Sequence, residues 1–268
     1  MSYFSNKVVV VTGGSEGIGK ALVELLLENG SKVATCGRNH DKLYELQTSH
    51  PGRPLHIATA DVSKESDCYN FIRSVLDTFG TIDILINNAG VSMRALFKDL
   101  ELETLRTLMD VNFWGTVYCT KFALKEIIKN KGVIVGVSSP AGFRGLPGRT
   151  GYSASKFAVN GFLEALRTEL LEDGVNVMWV SPGFTSSNIR NVALDKDAKP
   201  QKENPMDEGK LMSAEECAGY ILKAIEKRKR TMVLTLLGKS SVLINKLFPG
   251  VADKMVRNFY FKNGELVR

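Results

Sequence analysis

Tyr152 and Lys156 stand four residues apart. On a helix that spacing stacks the two side chains on one face. A free phenol titrates near about pH 10, so it is a poor acid–base group at neutral pH. An ammonium fixed beside it stabilises the phenolate and lowers that value. Ser139 lies thirteen residues upstream of Tyr152, after a β-branched run, and can lend a hydroxyl to the same place. Taken alone, a Tyr/Lys pair at this spacing is also what many solvated helix faces carry. The elements around it decide between the two.

Those elements alternate strand and helix. Val8-Val9-Val10-Val11 reads as a strand buried on both faces. Gly13, Gly17 and Gly19 follow at spacings of three residues and one, ahead of the apolar-periodic Ala21, Leu22, Leu25 and Leu26. Strand, glycine turn and helix together offer a pyrophosphate close backbone approach and the N–H groups of a helix N-terminus. The second strand, Ser31 to Cys36, ends at Gly37 and Arg38, without the acidic residue that often holds an adenosine ribose. A guanidinium there suits a 2′-phosphate, as a planar fork of donors; the plainer reading is a solvated Arg opening the Asn39–Leu46 helix. Leu55 to Ala60 is a third strand ending at Asp61-Val62, with Ser63 expected to cap the next helix. Ile82 to Ile86 is a fourth, leading into Asn87-Asn88-Ala89-Gly90, where Asn87 is expected to be structural.

Leu102 to about Ile128 reads as one long helix. Asn112 in its middle runs against propensity and calls for an exposed position or a polar network. Gly132 to Ser138 is the fifth strand, Gly151 to Leu171 the helix carrying the Tyr/Lys pair, and Val175 to Val180 the sixth strand. Pro140 biases Ser139 away from helical geometry. A polar stretch over Asn191 to Gly209 reads as a lid within 184–212. Ser213 opens a helix, Thr231 to Leu236 is a last strand, and residues 239–268 form an amphipathic extension to a domain spanning 1–238. That extension either packs on the domain or a partner subunit, or rests on a membrane surface with help from Lys227–Arg230.

Composition sets the outer bounds. Hydrophobic residues make up 44% and charged residues 24%, as in ordinary soluble domains. The 268 residues suit one large α/β domain. Cys36, Cys68, Cys119 and Cys217 show no ligand spacing, so neither a disulfide framework nor a metal site is expected. A net charge of +6 without interleaved aromatics argues against nucleic acid and leaves an anionic cofactor or a membrane surface. The first strand starts so early that no leader is expected, and a cytoplasmic location follows.

Thr12-Gly13-x-x-x-Gly17-x-Gly19, Asp61-Val62, Asn87–Gly90, Asn112, Ser139, Tyr152-x-x-x-Lys156 and Pro182-Gly183 together resemble the short-chain dehydrogenase/reductase family, over about the first 235 residues. The resemblance implies a three-layer, doubly wound Rossmann fold with a seven-stranded parallel sheet, and a homodimer or homotetramer. It implies that Tyr152 is the acid–base. Lys156 binds the nicotinamide ribose and depresses the Tyr152 pKa, Ser139 orients the substrate oxygen, and Asn112 holds a water leading to Lys156. It implies cofactor contacts from Gly13, Ser15, Gly17, Ile18 and Gly19, from Asp61 and Val62 at the adenine, and from Asn88, Ala89 and Gly90 near the nicotinamide. Pro182, Gly183 and Thr185 join them at the carboxamide.

The chain departs from the family pattern in two places that bear on the cofactor. Glu16 stands where NADP-preferring relatives often carry a base, so expected NADP(H) preference rests on Arg38, with NAD(H) as the alternative. Thr185 and Ser187 replace a usual Val/Ile–Thr pair after Pro182-Gly183. The long tail and the Tyr-Ser-Ala-Ser-Lys-Phe-Ala block look like reductases of lipidic carbonyls, such as hydroxysteroid and 3-ketodihydrosphingosine enzymes. The expected activity is interconversion of a hydrophobic ketone and its secondary alcohol. The alternatives are a 3-oxoacyl-thioester reductase and a dinucleotide-binding module without turnover.

Overall fold

Alternate valines of the first strand, β1 (Val8–Thr12), enter different cores. Val9 and Val11 pack with Leu22, Leu26, Ile221 and Ile225 on one side of a sheet. Val8 and Val10 pack with Phe71, Ile72, Val75 and Leu163 on the other. A strand covered on both faces needs apolar residues without alternation, which the run of four valines supplies.

The computed structural model describes residues 2–186, 188–201 and 211–267. After β1 come α1 (Gly17–Glu28), β2 (Lys32–Gly37), α2 (His40–Thr48), β3 (Leu55–Thr59), α3 (Glu65–Phe79) and β4 (Ile84–Asn87). The chain continues through α4 (Leu102–Leu108), a π-helical stretch (Met109–Trp114), α5 (Gly115–Lys129), β5 (Val133–Val137), α6 (Thr150–Glu169) and β6 (Asn176–Ser181). It closes with α7 (Ala214–Glu226), β7 (Thr231–Val233), α8 (Leu236–Leu247), α9 (Pro249–Tyr260) and a two-stranded ribbon, β8 (Phe261–Lys262) and β9 (Glu265–Leu266). The seven strands β1 to β7 form a parallel sheet in the order β3-β2-β1-β4-β5-β6-β7. Helices α1 and α7 cover one face, and α3, α5 and α6 the other. This is the three-layer, doubly wound α/β fold with the strand order reversing between β1 and β4, the point where such sheets open a crevice.

Three details differ from the sequence expectations. Ser63 does not cap α3; its backbone N–H and hydroxyl both donate to Asp61 Oδ1, and Lys64 occupies the cap position without a side-chain bond. The helix expected over Leu102–Ile128 is interrupted by the π-helical stretch at Asn112, whose carboxamide is drawn out to the loop after β4. The last strand of the seven-stranded sheet stops at Val233, where Thr235 turns the chain at φ 63° and caps α8, its hydroxyl accepting from Gly238 N. Gly183 makes room for that turn: a Cβ there would lie 2.4 Å from Thr235 Oγ1. The lid spanning 184–212 falls partly on residues 187 and 202–210, which lie outside the described residues. Its described first half is tied down, with Leu194 N donating to Ser92 O and Arg94 N to Leu194 O.

Candidate active site

The carboxyl ends of β1, β2, β4, β5 and β6 open into one cavity of about 510 Å³. At one end stand Gly13, Ser15, Gly17, Ile18 and Gly19, with Arg38, Asp61 and Val62 beside them. Asn88, Ala89, Gly90, Ser139, Tyr152 and Lys156 line its middle, and Pro182, Gly183 and Thr185 its far side. Asn112 is 1% exposed and sits behind this lining.

The glycine turn is built for close approach. Gly13 has φ 71°, and a Cβ on it would lie 2.9 Å from Ala89 Cα. A Cβ on Gly19 would lie 2.1 Å from Gly13 O and 2.5 Å from Asn88 Nδ2. The loop after β4 is strapped to the turn: Asn88 Nδ2 donates to Thr12 O at 2.9 Å, and Asn88 N and Ala89 N share Thr12 Oγ1. Asn87 Nδ2 donates to Thr120 Oγ1 at 3.0 Å, as a structural side chain does. The N-terminus of α1 at the cavity and the glycine turn before it fit the pyrophosphate of a dinucleotide. At the adenosine end, Lys42 of α2 forms an exposed ion pair with Glu16, which offsets part of the acidic residue's charge at the rim beside Arg38. Sequence reasoning missed Lys42, because the register of α2 against the glycine turn is set by tertiary packing.

Ser139 adopts extended backbone, φ −160° and ψ 159°, and accepts from Ala141 N at 3.1 Å. Tyr152 is half-buried against Met93 and Leu108. Burial raises the phenol's pKa, while a hydrogen bond to Ser139 and the charge of Arg149 pull it down. Lys156 is 5% exposed, its Nζ donates to Val137 O at 2.8 Å, and burial lowers its pKa to about 8. Lys156 is expected to depress the Tyr152 pKa, yet burial leaves the phenol above its ordinary value. The ammonium lies 5.8 Å from the ring centroid and spends a donor on the Val137 carbonyl. Asn112 Oδ1 accepts from Val91 N, and its Nδ2 donates to Val91 O and Ser155 Oγ. It thereby fixes the loop after β4 against the helix that carries Tyr152.

On the substrate side the cavity is walled by α8 and α9. Leu237, Ser241 and Ile244 come from α8, and Met255, Val256 and Phe259 from α9. Arg144 fastens this hairpin to the loop after β5: it donates to Asn245 Oδ1 at 2.9 Å and forms an ion pair with Asp253. Asn245 Nδ2 returns a bond to Phe143 O. This anchor cannot be read from local spacing, since its partners lie about a hundred residues apart. Among the described residues no three His, Cys, Asp or Glu come together to hold a metal. All four cysteines are buried and free, and burial pushes Cys36 and Cys217 up to about 12.

The sequence profile of the short chain dehydrogenase family matches residues 7–198. This chain belongs to that family. Dehydrogenase/reductase SDR family member 7B of Mus musculus is 33% identical over 259 residues, covering 93% of this chain and 80% of its own length. An 11-beta-hydroxysteroid dehydrogenase-like 4A of Arabidopsis thaliana is 35% identical over 229 residues, covering 84% and 75%. Among solved structures, a short chain dehydrogenase/reductase from Burkholderia phymatum in complex with NAD superposes with a TM-score of 0.83 at 22% identity, covering 94% of this chain and 96% of the other. As a family member the chain is an oxidoreductase acting on CH–OH groups.

Proposed function

We propose that this short-chain dehydrogenase reduces a hydrophobic, lipid- or steroid-like ketone with NADPH, and runs the reverse alcohol oxidation with NADP. The observation that carries the reading is the apolar wall of α8 and α9 in the same cavity as Tyr152 and Ser139. The similarity to a relative named for hydroxysteroid dehydrogenation supports the substrate class. Arg38 at the rim, with Glu16 paired to Lys42, supports the 2′-phosphate.

When bound, the nicotinamide dinucleotide supplies the hydride. Gly13, Ser15, Gly17, Ile18 and Gly19 would hold its phosphates, Asp61 and Val62 its adenine, and Asn88, Ala89 and Gly90 its nicotinamide side. Pro182, Gly183 and Thr185 close the carboxamide side. Tyr152 gives its hydroxyl proton to the carbonyl oxygen, and Ser139 donates a hydrogen bond to that oxygen and fixes its direction. Burial keeps the phenol protonated at neutral pH, the state reduction needs. Lys156 stands ready with an ammonium for the nicotinamide ribose, and Asn112 acts through position.

The outer face of the α8–α9 hairpin exposes Leu243, Leu247, Phe248 and Val251, each more than half, with Lys239, Lys246 and Lys254 among them. We place this face at a lipid surface, from which an apolar ketone reaches the cavity. The protein is expected to work as a homodimer or homotetramer.

A screen of NADPH and NADH oxidation against ketosteroids, long-chain ketones, 3-oxoacyl thioesters and small diketones tests the reading. Turnover of the first two classes with NADPH is expected. Preference for the thioesters favours the 3-oxoacyl reductase, and NADPH binding without turnover of any of them favours a non-catalytic module.

A further inference from the structure

Arg149 lies in the cavity three residues before Tyr152. It holds the N-cap position of α6 with non-helical backbone, φ −137° and ψ 33°, and its charge acts on the Tyr152 phenol. Its Nη1 donates to Ser92 Oγ at 2.9 Å, and Ser92 is itself 2% exposed, so the guanidinium is fixed. Its Nε is buried and has no acceptor. Among the described residues no carboxylate pairs with it, whereas Arg144, in the same lining, is neutralised by Asp253. A guanidinium held partly out of water without a counter-charge is costly, and a planar carboxylate is the group whose geometry matches its fork. The same cavity carries the apolar side chains of Leu146, Ile244, Met255 and Phe259.

We propose that Arg149 binds a carboxylate of the substrate, which is therefore an amphiphilic oxo acid. Its carbonyl meets Tyr152 and Ser139, its acid group sits a few carbon atoms away on Arg149, and its aliphatic chain runs along α8 and α9. The proposal rests on the carbonyl-reductase reading and narrows its substrate. The reaction balances as before: the ketone carbon accepts a hydride from the reduced dinucleotide, the oxygen accepts a proton through Tyr152, and the carboxylate is unchanged.

The test compares 4-oxododecanoate with its methyl ester in wild type, Arg149→Gln and Arg149→Lys. In wild type, kcat/KM for the acid should exceed that for the ester by about tenfold or more, a charge-assisted contact being of that size. Arg149→Gln should collapse this ratio, chiefly through KM for the acid, and Arg149→Lys should restore part of it. If both compounds fall together in Arg149→Gln and the alkaline limb of the pH profile moves, Arg149 serves only Tyr152 and the proposal is overturned. A wild type that reduces the ester as well as the acid overturns it too, while leaving ketone reduction intact. If neither compound is reduced, quenching of bound NADPH fluorescence decides: acid binding lost in Arg149→Gln upholds the carboxylate subsite, and equal binding of acid and ester removes it.

Discussion

Lys156 carries the clearest electrostatic signature of the site. Its pKa falls from the ordinary 10.5 to about 8 because burial disfavours the ammonium. Between those values the unfolded chain binds more protons than the folded one, so folding stability rises with pH across that window. The full effect is about 3 kcal/mol. In Lys156→Met the rise should vanish, as read by urea unfolding of the cofactor-free protein from pH 7.5 to 10. Tyr152 works in the other direction: raised by burial, its phenol stays protonated through neutral pH. Reduction should therefore be flat near neutrality and fall as pH climbs through the phenol's pKa, while alcohol oxidation rises over the same range. At the rim, Arg38→Asp should weaken NADPH by about one to two orders of magnitude and spare NADH, from a charge-assisted bond of roughly 1.5–3 kcal/mol. Equal losses for both cofactors, read by titration, remove Arg38 from the 2′-phosphate. Tyr152, Lys156, Ser139 and Arg38 were legible in the sequence because each stands at a fixed offset from a turn or strand end. Arg149 was not singled out in the sequence, because its significance depends on the missing counter-charge, which only packing reveals.

Among the elements, the glycine turn and the α8–α9 hairpin bear most on the site. Gly19→Ala drives a Cβ to 2.1 Å from the Gly13 carbonyl, a backbone atom that cannot swing aside. The turn should open, with dinucleotide affinity falling by tenfold or more and the melting temperature dropping; unchanged binding by calorimetry contradicts the cradle. Arg144→Ala removes the hairpin's ion pair and its bond to Asn245. Activity on long apolar ketones should fall while a small diketone is turned over nearly as before. The strands and most helices were readable because the sheet is covered on both faces, which writes continuous β-branched runs separated by amphipathic helices. The exceptions have local causes. Asn112 pulled the helix into a π turn by bonding to Val91, and Thr235 ended the last strand by taking positive φ.

Taken whole, the molecule joins a family scaffold to a substrate wall that the family pattern does not specify. The scaffold was legible from motif order, whereas the wall was not, because α8 and α9 meet the cavity through contacts between segments distant in sequence. The net charge of +6 and the apolar outer face of the hairpin predict binding to vesicles containing anionic lipid. Replacing Leu243, Leu247 and Phe248 with serine should release the protein in a flotation assay. Undiminished flotation of that variant places the hairpin elsewhere. The central claim is that the Tyr152 hydroxyl delivers the proton that accompanies hydride transfer. Tyr152→Phe, assayed by NADPH oxidation against the best ketone of the screen, tests it most directly. A loss in kcat of about a hundredfold or more is expected, with NADPH binding retained; turnover at the wild-type rate contradicts that role.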